Sequence, residues 1–85
     1  MAGGWFQCRV VRAGPADDGK IYIGLQDTAT PPSWQGWLWY FAIDLMKNEM
    51  LATALAAMGT GYTVNVALAD TAQYSQVNRF YLSAQ

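Results

Sequence analysis

Histidine is missing from this sequence altogether, and cysteine occurs once, at Cys8. Without histidine there is no imidazole to shuttle protons near neutral pH and no His/Cys zinc set. A lone cysteine excludes a disulfide within the chain. Charge is also scarce. Asp, Glu, Lys and Arg make up 13% of the residues, against roughly 25% in a typical soluble domain. No apolar run approaches the roughly 20 residues that span a bilayer, so membrane insertion is not expected. The opening Met1–Trp5 has no basic region before an apolar stretch and does not read as a signal peptide.

The cations are few and dispersed: Arg9, Arg12, Lys20, Lys47 and Arg79, with acidic residues between them and a net charge of −1. A nucleic-acid binder needs a basic patch to displace counterions from phosphate, so this balance argues against one. An enzyme is not expected either. No paired carboxylates or nucleophile sit in a recognisable motif, and no cofactor is implied.

Aromatic residues are abundant at 14%, four of them tryptophan. An 85-residue chain is one domain, residues 1–85, with much surface for its volume. Low charge and many aromatics in so small a domain point to surface buried in a homo-oligomer.

The clearest local signal runs from Asn48 to Leu68. Met50, Leu51, Ala54, Leu55 and Met58 recur at helical spacing, predicting a helix over 48–58 with Asn48 as N-cap. Gly59 and Gly61 mark its exit. The opposite face is Glu49, Ala52, Thr53, Ala56 and Ala57. It reads either as a second packing face or simply as good helix former. Tyr62, Val64, Val66 and Leu68 then alternate with polar or small residues, which is strand periodicity.

Upstream, residues 5–13 form a first strand with Phe6, Cys8 and Val10 on one face, and Cys8 serves as a small inward hydrophobe. Gly14–Gly19 is a turn by composition. Residues 20–27 form a second strand, and Gly24 within it marks a bulge or tight bend. The two make a hairpin. Residues 27–36 are irregular, with Pro31-Pro32 forbidding helix. Residues 37–44 give a third strand with Trp37, Trp39, Phe41 and Ile43 on one face and Leu38, Tyr40 and Ala42 on the other. Both faces are apolar, so cover on both sides is expected. After a turn at 70–73, residues 74–83 form a fifth strand in which Val77 is out of step with Phe80 and Leu82. A bulge near Asn78 reconciles them.

The layout is mainly β, with five strands and one helix between strands 3 and 4. That is the order of the OB-fold, a small Greek-key barrel.

Three stretches carry a resemblance. They are LATALAAMGTGYTVNV (51–66), a helix running through glycine into a strand; the closing YSQVNRF (74–80); and the opening FQCRVVRAGPADDGKIYIG (6–24). Together they resemble the B subunits of pentameric bacterial toxins of the Shiga and subtilase cytotoxin types. The resemblance implies an OB-fold, a homopentameric ring with helices around a pore, binding of cell-surface glycans, and secretion. Without that kinship the chain would be cytoplasmic. Two departures stand out. Such subunits carry an internal disulfide, whereas Cys8 has no partner and Gly24 stands where a second cysteine would be expected. Sugar-binding residues of a longer N-terminal arm are not carried over to this chain.

Sugars are recognised by aromatic faces with hydroxyl and amide groups beside them. The loop holding Thr28, Thr30, Ser33, Trp34, Gln35 and Trp37 offers those types within ten positions. Trp37 and Trp39 fit core or interface by alternation, and Trp34 is expected to be exposed. The candidate ligand residues are thus Thr28, Ser33, Trp34 and Gln35. Two alternatives stay open: a structural assembly module with a separate partner chain, and a single-stranded nucleic-acid-binding OB module.

Overall fold

The structure, a computed structural model, describes residues 2–83. Its strands are β1 (Ala2–Pro15), β2 (Ile21–Asp27), β3 (Trp37–Ala42), β4 (Thr63–Asp70) and β5 (Gln76–Ser83). One helix, α1 (Lys47–Thr60), follows a single 3₁₀ turn at Asp44–Met46 and separates β3 from β4. The strands close into a barrel in the order β1-β2-β3-β5-β4. All neighbours are antiparallel except β3 and β5. That parallel seam is short, pairing Phe41 with Gln76 and Ala42 with Val77.

β1 is long enough to serve two partners. Its first part pairs with β4 from Ala2↔Asp70 to Cys8↔Val64. Its second part pairs with β2 from Cys8↔Asp27 to Pro15↔Ile21. Cys8 is where the strand passes from one ladder to the other, and its side chain is fully buried. Burial, with the Asp27 carboxylate nearby, pushes its thiol up to about 12, so it packs as a hydrophobe and offers no thiolate.

Inward alternation builds the core. Val10, Ile21, Ile23, Leu25, Tyr40, Ala42, Val64, Val66, Leu68, Val77 and Phe80 all point into the barrel. α1 touches all five strands, which places it across one mouth. It inserts Met50, Ala54 and Ala57. The buried face is therefore rotated from the expected one: Ala57 is inside, while Leu55 and Met58 are 51% and 43% exposed. The small side chains let the helix axis sit close to the barrel, and Leu55 and Met58 are left at the flank.

The bulge expected near Asn78 is present. Ala67 pairs with Arg79 and Leu68 with Val77, so Asn78 is skipped and Val77 and Phe80 both face inward. A second bulge falls between Val10 and Arg12, opposite Gly24. The hairpin at Gly14–Gly19 forms, with Gly19 at φ 84°. The helix ends at Gly61, whose left-handed backbone lets its N–H donate to Ala57 O at 2.8 Å. Gly59 remains inside the helix. Asn48 does not cap it: the helix begins one residue earlier, after Met46, with no side-chain cap. Residues 74 and 75, expected in the fifth strand, belong to the turn before it.

Candidate functional site

The loop selected from sequence folds inward at its centre. Trp34 is 7% exposed. Its ring meets Phe6 and Tyr40 edge-on, with centroids 5.5 and 5.4 Å away. Its indole N–H donates to Leu25 O at 3.0 Å. The expected exposure of Trp34 is therefore corrected: no face is free to stack on a ligand. The pull inward comes from Asp27, itself buried at the end of β2. Its two carboxylate oxygens accept the backbone N–H groups of Ala29 at 3.0 Å and Ser33 at 2.7 Å. That pins the turn and swings Trp34 under it. The Thr28 hydroxyl donates to Gln7 O at 2.9 Å. Thr28, Ser33 and Gln35 remain exposed around the buried indole.

The exposed aromatic surface lies instead on the outer face of β1, β2 and β3. Alternation sends Leu38, Tyr40 and Ala42 into the barrel and leaves Trp37, Trp39 and Phe41 outside. The cover expected on both faces of the third strand is not supplied by this chain: Trp37 is 37% exposed, and Trp39 and Phe41 are half-buried. Register brings Tyr22 opposite Phe41 and Gly24 opposite Trp39. Gly24 is the floor on which Trp37 lies. A Cβ there would come within 2.8 Å of the Trp37 ring and 3.2 Å of Val11, so a side chain at this position would lift the indole.

Trp37 and Trp39 wall a concavity of about 1050 Å³ together with Arg12, Asp18, Tyr22, Tyr74 and, from α1, Met58. Trp37 and Trp39 meet edge to face at 5.1 Å. The Arg12 guanidinium lies over Trp37, 5.4 Å from the ring centre. Tyr22 stands at 85° to Trp39 and 86° to Tyr74, with centroids 6.5 and 6.1 Å away. The Tyr22 hydroxyl donates to Asp18 Oδ2 at 2.6 Å. That bond, with the Lys20 N–H on Oδ1, holds the Asp18 carboxyl below its ordinary range; the same bond raises the Tyr22 phenol. Both groups keep their neutral-pH forms, an anionic acceptor beside a phenol donor.

Tyr74 is the one described non-glycine residue with positive φ, at 68°. A tyrosine in the left-handed region is strained, and such strain persists where surrounding contacts hold it. Here its N–H donates to Trp39 O at 2.6 Å, and its ring, 58% exposed, is aimed into the concavity.

Sequence reasoning placed Trp37 and Trp39 in core or interface and did not select Arg12, Asp18, Tyr22 or Tyr74. One signal for them was available. The outward positions of strands 2 and 3 read Tyr22, Gly24, Gln26 and Trp37, Trp39, Phe41, a glycine among aromatics. Tyr74, by contrast, reaches the site only through the closed fold.

Among the described residues, no three Cys, Asp or Glu side chains gather to hold a metal ion. Comparison with protein-family models, with curated proteins and with solved structures returned no match.

Proposed function

We propose that this chain is a non-enzymatic, OB-type barrel that binds glycans through the outer aromatic concavity. The observation that carries the reading is an exposed aromatic trough flanked by an ionised carboxylate, a guanidinium and two phenols. Aromatic faces match the C–H patches of a pyranose, and Asp18, Tyr22 and Arg12 supply acceptors and donors for its hydroxyls. The likeness to toxin B subunits points the same way, as does the strand order with its parallel closure between β3 and β5. The lack of histidine and the buried Cys8 thiol are the reasons that the reading is a non-enzymatic one.

Screening on a broad glycan array that includes sialylated structures tests this reading. We expect saturable binding to a defined subset, lost in Trp39→Ala and retained in a variant of the Pro31-Pro32 loop. An array without signal removes the lectin reading.

A second reading, assembly as a homopentamer, has its own observation. Leu45, Leu55 and Met58 are exposed on the helical segment, and Ala52 and Ala56 are exposed on the face that also carries Glu49. A partner surface there would bury them, and a ring would multiply weak sugar sites through avidity. Light scattering should give a mass near five chains, and Ala56→Lys should lower it. A monomer at tens of micromolar ends this reading, whether or not glycans bind.

A further inference from the structure

The concavity has two parts that differ in geometry. Trp37 and Trp39 touch edge to face at 5.1 Å, leaving nothing between them. Around Tyr22 the rings are equally perpendicular but stand farther apart, at 6.5 Å from Trp39 and 6.1 Å from Tyr74. Both spacings are ordinary for edge-to-face aromatic pairs; what sets this corner apart is that Tyr22, Trp39 and Tyr74 all line the same open concavity. An acid completes the corner: Asp18 is bonded to the Tyr22 hydroxyl and fully exposed.

We propose that Tyr22, Trp39 and Tyr74, with Asp18, form an aromatic cage for a quaternary ammonium group such as that of choline. Aromatic faces attract a cation through their quadrupoles, and a trimethylated nitrogen is the form that suits them. It has no N–H to lose from water and presents methyl groups to the rings. A primary ammonium is strongly hydrated and gains much less. The chain's own cations are engaged elsewhere on this side. Lys20 Nζ lies 4.4 Å over Phe41, and Lys47 Nζ donates to Gly19 O and pairs with Asp44. Arg12 lies over Trp37, beyond the closed tryptophan pair, where it can meet an anion on the same ligand. This inference shares Trp39, Tyr22 and Asp18 with the glycan reading but does not depend on it. It concerns one corner of the concavity and a cationic group that an ordinary glycan lacks.

Tryptophan fluorescence titration at constant ionic strength tests it, with choline as probe and ethanolamine as its primary-amine control. Choline should give a saturable change, and ethanolamine should bind at least ten-fold more weakly. Tyr74→Ala should weaken choline at least ten-fold, Asp18→Asn several-fold, and Tyr74→Phe no more than about two-fold. Asp18 is fully exposed, so its variant tests the cage even if Tyr74→Ala fails to fold. Equal responses to choline and ethanolamine, or no choline response, overturn the proposal. So does choline binding unchanged by either weakening variant. Two further arms identify the source. Saturable binding of soluble phosphocholine alone points to a small or polymer-borne ligand, and co-sedimentation with phosphatidylcholine but not phosphatidylglycerol vesicles points to a lipid headgroup. Choline binding without array signal leaves the cage standing and the lectin reading fallen; the converse separates them the other way.

Discussion

Trp34 and Trp39 lie five residues apart and finish on opposite sides of the barrel wall. Trp34 sits under a loop, with rings on either side and its N–H bonded to a strand carbonyl. Trp39 stands on the outer surface, half-exposed, with Tyr22 at right angles and Trp37 against it. The same side chain thus does two jobs. Around Trp34 the polar groups point at backbone: Asp27 at two amides, Thr28 at the Gln7 carbonyl. Around Trp39 one polar side chain, Gln73, accepts the Trp39 backbone N–H, while Arg12, Asp18 and Tyr22 line an open concavity. An aromatic cluster whose polar neighbours are satisfied internally contributes to folding; one that lines an open concavity is left with surface to offer a ligand.

Truncation should separate the two most sharply. Trp34→Ala removes a buried ring and leaves the Leu25 carbonyl without its donor, for an expected loss of about 3–5 kcal/mol. Trp39→Ala, on the half-exposed face, should cost about 1 kcal/mol and abolish ligand binding. Urea denaturation of both variants checks this, and equal losses would erase the distinction. Next in size is Asp27→Asn. The amide can accept only through one oxygen, so one of the two loop amides loses its partner, for about 2 kcal/mol. Melting curves would show it, and binding by the folded fraction should be unchanged.

Gly24→Ala probes the other side. The new methyl meets the Trp37 ring, which is exposed enough to move, so stability should fall by only about 1 kcal/mol. The displaced indole should nonetheless weaken ligand binding several-fold, measurable by the same fluorescence titration; unchanged binding would take Trp37 out of the site. The smallest effect is on pH dependence. Cys8 has a folded-state pKa of about 12 against an ordinary 9.0. Above pH 9 the unfolded chain gives up that proton while the folded one keeps it. Its contribution is therefore complete below pH 9 and is lost as pH rises toward 12. Cys8→Ala should flatten the alkaline limb of a stability-against-pH curve.

Much of the scaffold could be read from residue order because two-residue alternation is a direct imprint of a barrel wall. Val64, Val66 and Leu68 are inward as expected, and the misfit of Val77 with Phe80 located the Asn78 bulge. The helix face was harder. Met50 and Ala54 are inside as expected, but Ala57 takes the third inward position where the spacing of large apolar residues favours Leu55 and Met58. Trp34 misled for a related reason. Prolines and hydroxyls describe a surface loop correctly, yet nothing local says that Asp27 will draw its centre inward. The concavity was least legible. Its walls come from Arg12, Tyr22, Trp39 and Tyr74, whose meeting depends on strand register and on a turn more than thirty residues beyond the third strand. An apolar third strand does not say which of its faces is the inner one.

The double duty of β1 has a consequence for how the molecule assembles in time. Its second half meets β2 across a short hairpin, and β2 meets β3 across one loop, so the three strands carrying the aromatic surface are joined by near neighbours in the chain. Its first half must wait for β4, some sixty positions away, as in Gln7↔Asn65. Closing a loop of that length costs entropy before any contact repays it. The half that carries the aromatic surface should therefore take shape first and the barrel zip shut afterwards along β1 and β4, with Cys8 as the last tooth of one ladder and the first of the other. Pulse-labelled amide exchange should protect Ile23 and Leu25 before Val66; the reverse order would mean that closure leads.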